Sequence, residues 1–190
     1  MIECISIEEL SIKAEYLTNY FIKNKEIINK QSKRSKMIAK GKEFYALSKI
    51  GNYTYGKYAV TFRDNTKLVA AVVKDIITPW GKIKKPICAK HAPYISMDKS
   101  GRFITEQEAY YLCGILNTDI VQEYFKFSFS GRSYSIDFNI KMPLFDESNK
   151  KHQRIAEISK CAHEHFTNKD IIIKMKQEIE RIYLSICNDI

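Results

Sequence analysis

Few residues in this chain have the types and spacing that chemistry needs. Cys161, His163 and His165 stand together in "CAHEHF" and are of the kinds that ligate zinc. A chelating pair on a helix sits at i and i+4, whereas His163 and His165 lie two apart and point to different faces. Cys161 and His165 do have the i, i+4 spacing, but the sequence offers no third ligand. The expectation is surface histidines on a late helix; the other histidines are His91 and His152. Asp146-Glu147 in "FDESNK" could do acid–base work, but a carboxylate pair in an exposed loop is far commoner, and no role is assigned to it. The common catalytic signatures are missing. There is no G-x-G-x-x-G, no P-loop and no G-x-S-x-G, no Asn/Asp-Pro-Pro-aromatic run to hold a flipped base, and no Asp followed by Glu-x-Lys. No catalysis, metal or cofactor is expected in this chain.

The basic segment is better suited to binding. In "KIGNYTYGKY", Asn52 has the amide that pairs with an adenine edge, Lys57 the charge that meets phosphate, and Tyr53 and Tyr55 rings that can stack or donate. The same tyrosines suit cross-strand packing in a hairpin equally well. "PWGKIKK" sets Trp80 at a turn beside Lys82, Lys84 and Lys85, an aromatic tip next to clustered charge that favours nucleic acid. "SGRSYS" places Arg132 and Ser133 in a small-residue loop, where arginine could read guanine, clamp a phosphate or simply face solvent. Arg102, at the end of the basic segment, completes the candidate set.

The charge distribution supports that emphasis. The 190 residues carry a formal net charge of +9. Residues 30–102 hold seventeen Lys/Arg against four acids, a surplus of +13, while 1–29 and 103–145 each come to −2 and 146–190 to zero. A general lysine bias would spread the charge, so its concentration favours a polyanion partner. An apolar fraction of 45% with 12% aromatics excludes disorder. No apolar run approaches the ~18 residues of a membrane span. The opening "MIECISIEEL" lacks the plan of a secretory leader. The five cysteines are odd in number, scattered and without CxxC, which fits reduced thiols in a cytoplasm.

The positioning elements follow from periodicity. Ser6 to Glu9 has the form of a capping box, and Ile7, Leu10, Ala14, Leu17 and Phe21 form a helical stripe. A polar stretch follows with no acid from Gln31 to Lys42, either linker or DNA-facing arm. "FYALSKI", "KYAVTFR", "KLVAAVVKDII", "KKPICAK" and "APYISM" predict a meander of five or six strands. Thr105 to Glu108 is a second capping box, opening a helix that Asn117-Thr118-Asp119 separates from the next. "YSIDFNI" alternates as a strand, and helices over about 150–165 and 168–187 close the chain. The predicted fold is α+β: a mixed, mainly antiparallel sheet with packed helices and helical N- and C-terminal arms. It is expected as one domain, with a helix and basic linker over 1–40, a core over 41–145 and helices over 146–190. The stripes of 7–21 and 171–186 are expected to pair with each other or to dock on a neighbour. The helices around Asn117 are apolar and locally acidic, so they suit a scaffold better than a DNA-reading helix-turn-helix.

"YYLCGILNTDIVQEYF", "GRSYSIDFNIKMPLF" and "HQRIAEISK" resemble, in that order, the second half of a target-recognition domain. The family is the TaqI-type C-terminal specificity domain of bacterial adenine-specific DNA methyltransferases and fused type II restriction–modification enzymes; type I specificity subunits are relatives. Its "YL…ILNS" helix, "iPlP" strand exit and glutamine-led helix match Tyr111-Leu112, Ile115 to Thr118, Met142 to Leu144, and Gln153, Ile155 and Ile158. The likeness spans roughly residues 40–165. It implies recognition of double-stranded DNA for a methyltransferase or endonuclease partner in the same or another chain. The family's catalytic half has no counterpart here. The resemblance therefore implies a piece of a larger enzyme or a free-standing specificity piece, with S-adenosylmethionine, and magnesium as a further candidate, belonging to that other half. The alternatives from the residues alone are an RNA- or single-strand-binding module and a helical protein-interaction module.

Overall fold

The computed structural model of the chain describes residues 4–32, 43–46, 50–63, 68–87, 92–128 and 142–189. The chain gathers into two compact units, Met1–Tyr55 and Gly56–Ile190. In chain order, helices precede and follow a small antiparallel sheet, a mixed α+β architecture. No described helix is long and apolar enough to cross a membrane.

The first unit opens with α1 (Ile7–Lys13), α2 (Glu15–Lys23) and α3 (Lys25–Ser32). The Ser6 hydroxyl accepts from the Glu9 N–H and starts α1, as the capping pattern predicts. The single helix expected over 7–21 is broken, however. Ala14 leaves the helical region at φ −155°, and buried Thr18 in α2 turns its hydroxyl back onto the Ala14 carbonyl at 3.1 Å. α3 then carries helix as far as Ser32, into the start of the polar stretch expected as linker or arm. The strand expected from Phe44 is a turn over its described part. Tyr45 stacks on Phe21 with centroids 5.1 Å apart and donates to the Ile5 carbonyl at 2.7 Å. Aromatic composition suggested a sheet, but the rings serve a helix instead.

The second unit has a three-stranded antiparallel sheet in the order β2–β1–β5, from β1 (Ala59–Phe62), β2 (Ala70–Val73) and β5 (Tyr94–Ile95). Val60 faces Val72 on one side and Ile95 on the other. A separate ribbon pairs β3 (Ile76–Ile77) with β4 (Ile83–Lys84). The helices are α4 (Glu106–Leu116), α5 (Asp119–Ser128), α6 (Lys150–Glu164) and α7 (Lys169–Cys187), close to the predicted spans. The predicted strand "YSIDFNI" lies outside the described residues.

α4 is the centre of this unit. Thr105 and Glu108 complete a reciprocal capping box at its start, and seven of its eleven residues are buried. It packs on β1 and β2 on one side and on α6 and α7 on the other. Gly114 permits the close approach: a Cβ there would lie 3.1 Å from Ile155 and 3.4 Å from Ile179. Ile179, Tyr183 and Ile186 of α7 are buried in the same core. The C-terminal stripe, expected to need the N-terminal helix or a missing neighbour, thus finds its partners within its own unit.

The outer edge of β2 shows why the sequence breaks at Asn117. Its side chain accepts from the Ala70 N–H at 3.1 Å and donates to the Ala70 carbonyl at 2.9 Å, as a neighbouring strand would. It also donates to the Cys113 carbonyl at the end of α4. Two residues further along, the Val72 N–H donates to His163 Nε2 at 3.0 Å, and His163 Nδ1 bonds the Ser159 carbonyl at 2.7 Å. Helix side chains thereby satisfy backbone groups that an edge strand otherwise leaves open.

Candidate nucleic-acid interface

Of the candidate binding residues, the β3–β4 ribbon holds Trp80, Lys82, Lys84 and Lys85 together. Its closure follows from "TPWGK". The Gly81 N–H returns to the Thr78 carbonyl at 2.8 Å, and the Thr78 N–H bonds the Lys82 carbonyl at 2.8 Å. Gly81 takes φ +78°, the left-handed position that completes a three-residue hairpin loop. Buried Thr78 locks the neck: its hydroxyl donates to the Lys82 carbonyl at 2.8 Å and accepts from the Lys82 N–H at 3.0 Å. Trp80 stands at the tip of this stiff loop, 69% exposed. Lys82 and Lys84 are exposed and Lys85 is half-buried.

The ribbon also presents apolar residues that the sequence reading did not single out. Ile77 pairs across from Ile83, and they are 76% and 69% exposed. The available signal was "DIITPWGKI", in which isoleucines flank the turn on both sides.

The other candidates are placed differently. Asn52, Tyr53 and Tyr55 lie on a 3-10 turn, Asn52–Tyr55, in the first unit, and no strand pairing involves them. The hairpin reading of Tyr53 and Tyr55 is therefore corrected. Gly51 and Asn52 start a one-turn helix, in which Thr54 is buried and its hydroxyl accepts from the Gly51 N–H at 3.2 Å. Asn52, Tyr53 and Tyr55 are all exposed. Lys57, in the second unit, lies 5.4 Å from the Tyr58 ring centroid. Arg102 is occupied internally. It forks onto both Glu108 carboxylate oxygens at 2.9 and 2.6 Å and reaches Asp98 at 3.0 Å. Its guanidinium holds the Glu108 carboxyl below the usual range and secures the start of α4. Arg132 and Ser133 lie outside the described residues.

Several of the groups considered for catalysis or metal binding have structural partners. Two of the three described histidines are not surface residues. His163 seals β2, and His152 is only 4% exposed, packed 4.8 Å from the Tyr111 ring. His152 Nδ1 accepts from the Asp146 N–H at 2.9 Å, and burial pushes its imidazole below the ordinary value. Cys113 Sγ lies 3.8 Å from His163, but the thiol is fully buried and pushed up to about 12, the opposite of an activated nucleophile. Asp146 accepts from the backbone and hydroxyl of Ser148, a turn-forming role. Glu164 does supply a third donor beside Cys161 and His165, all within 4.8 Å. His165 Nδ1 already bonds the Cys161 carbonyl at 2.9 Å. A cleft of about 360 Å³ beside β2 is lined by Leu68, Gly114, Asn117, Ser159, His163 and Phe166. The Asn117 and His163 side chains in it are those bonded to β2.

No family model and no curated protein sequence matches the chain.

Proposed function

We propose that this chain binds duplex DNA as the recognition part of a site-specific adenine methyltransferase or fused restriction–modification enzyme, and that it transfers no methyl group itself. The observation that carries the reading is the ribbon: three lysines within four residues follow an exposed tryptophan on a hydrogen-bonded tip. It belongs to the segment that concentrates a +13 surplus. Phosphate charge supplies most non-specific affinity for DNA, and lysine meets it as a point charge. The resemblance to TaqI-type specificity domains supplies the partner, a catalytic half that binds S-adenosylmethionine and flips the target base while this chain holds the flanking duplex. Asn52, Tyr53, Tyr55 and Lys57 remain exposed candidates for the same task, and Arg132 with Ser133 remain candidates for base reading. Arg102 drops behind them, because its fork is satisfied by carboxylates.

The test is a salt titration of duplex binding. Lys84→Ala and Lys85→Ala should each weaken any duplex alike and lower the slope of log affinity against log salt by about one. Equal affinity and slope in parent and variants would remove the ribbon from the interface. A second reading has its own observation: Ile12, Tyr16 and Tyr20 are exposed on α1 and α2, as a protein-interaction module would need. Association without any salt-sensitive DNA binding would favour it.

A further inference from the structure

We propose that Trp80 is a stacking wedge: the ribbon tip enters the duplex and the indole packs against a base parted from its neighbour, while Lys82, Lys84 and Lys85 hold the flanking phosphates. This rests on the DNA-binding reading and adds how the DNA is deformed.

The tip is built to push rather than to adapt. Four hydrogen bonds between Thr78 and Gly81 or Lys82, together with the left-handed Gly81, fix the loop that carries Trp80. A preformed tip gives up little conformational freedom when it inserts. The ribbon behind it is apolar on the Ile77–Ile83 face, and Lys84 lies opposite Ile76. A flat aromatic face at the tip, apolar shoulders and lysines along the neck match one chemistry closely. That chemistry is a stack of apolar rings bordered by regularly spaced anions. Side chains that unstack a duplex elsewhere are apolar wedges of this kind, backed by phosphate contacts. An anionic lipid surface also offers apolar depth and negative charge, but it has no flat face to stack on. Charge alone would need no tryptophan, and a core tryptophan would not be left so exposed.

Trp80 is the sole tryptophan of the chain, so indole emission reports on this residue alone. The full chain is titrated with dye-labelled duplex at low salt, following dye anisotropy for binding and indole emission for stacking. A second duplex carries a fluorescent adenine analogue that brightens when unstacked. Indole quenching should saturate together with anisotropy, and the analogue should brighten. Trp80→Ala should lose about 5- to 150-fold in affinity, the range expected for one aromatic–base stack, and leave the analogue dark. Trp80→Phe should recover part of both. Because Trp80 is exposed, an unchanged circular-dichroism melt checks that each variant is folded. Binding with unchanged indole emission and full affinity in Trp80→Ala would overturn the wedge and leave the DNA reading standing. No anisotropy change with any duplex would overturn both. An indole blue shift with phosphatidylserine vesicles, and none with DNA, would overturn the wedge in favour of a lipid-facing ribbon.

Discussion

Replacing Asn117 by alanine tests whether a side chain stands in for a missing strand beside β2. Alanine removes the partner of two backbone groups of Ala70, bonded at 3.1 and 2.9 Å. Ala70 is itself buried, so water reaches the vacated site poorly. An orphaned buried backbone group costs about 1–3 kcal/mol. The third bond matters less, because the Cys113 carbonyl still receives the Asn117 N–H at 3.3 Å. Two orphans in a site that relaxes partly give about 2–4 kcal/mol, a large share of the roughly 5–15 kcal/mol that holds a domain folded. The melting temperature should fall by about 5–15 °C, and the Ala70 amide should lose protection in hydrogen exchange. Asn117→Asp should do no better, since it sets a carboxylate oxygen against the Ala70 and Cys113 carbonyls. A melt within about 2 °C of the parent, with Ala70 protection unchanged, would refute the edge-capping argument.

Gly114→Val should cost about 1–3 kcal/mol by overpacking α4 against Ile155, Ser159 and Ile179, seen as a lower urea midpoint with an unchanged slope. His152 is held below its ordinary pKa of 6.5 by burial, with the Asp146 carboxylate opposing in part. The unfolded chain therefore binds the proton more readily, and stability should be full above about pH 6.5 and fall as pH drops below it. His152→Phe should flatten that slope in melts taken between neutral pH and pH 5; an unchanged slope would place the titration elsewhere. Gly81→Ala forces a Cβ into φ +78°, so exchange at the Thr78 and Lys82 amides should speed up while the global melt hardly moves.

What the sequence revealed depended on whether the cause was local. The α4 cap is legible because Thr105 and Glu108 satisfy each other across a single turn. The turn of the ribbon is legible because Pro79 and Gly81 carry the turn chemistry themselves, whereas "KLVAAVVKDII", read as one strand, divides into β2 and β3. Ala14 gave no warning, since alanine is a helix former; the break there goes with Thr18, buried and turned back onto its carbonyl. Tyr45 read as strand because aromatics favour sheets, and only its stacking on Phe21, far along the chain, makes it a turn residue. His163 looked like a surface histidine, but its partner Val72 lies 91 residues away, beyond what spacing can reveal. Arg102 looked like a free cation until Asp98 and Glu108 were seen to converge on it from both sides. At the candidate interface, the tip and its lysines were legible as a local pattern. The exposure of Ile77 and Ile83 was not, because it depends on the ribbon pairing separately from the main sheet.

Whether this chain grips duplex DNA is decided by competition binding. Labelled duplex is bound to the full chain at low salt and displaced by unlabelled duplex, single-stranded DNA or RNA of the same sequence, over a range of salt. Duplex should compete best, and log affinity should fall linearly with log salt, at about 0.9 per phosphate engaged. Better competition by RNA or single strands, or binding indifferent to salt, would contradict a duplex grip.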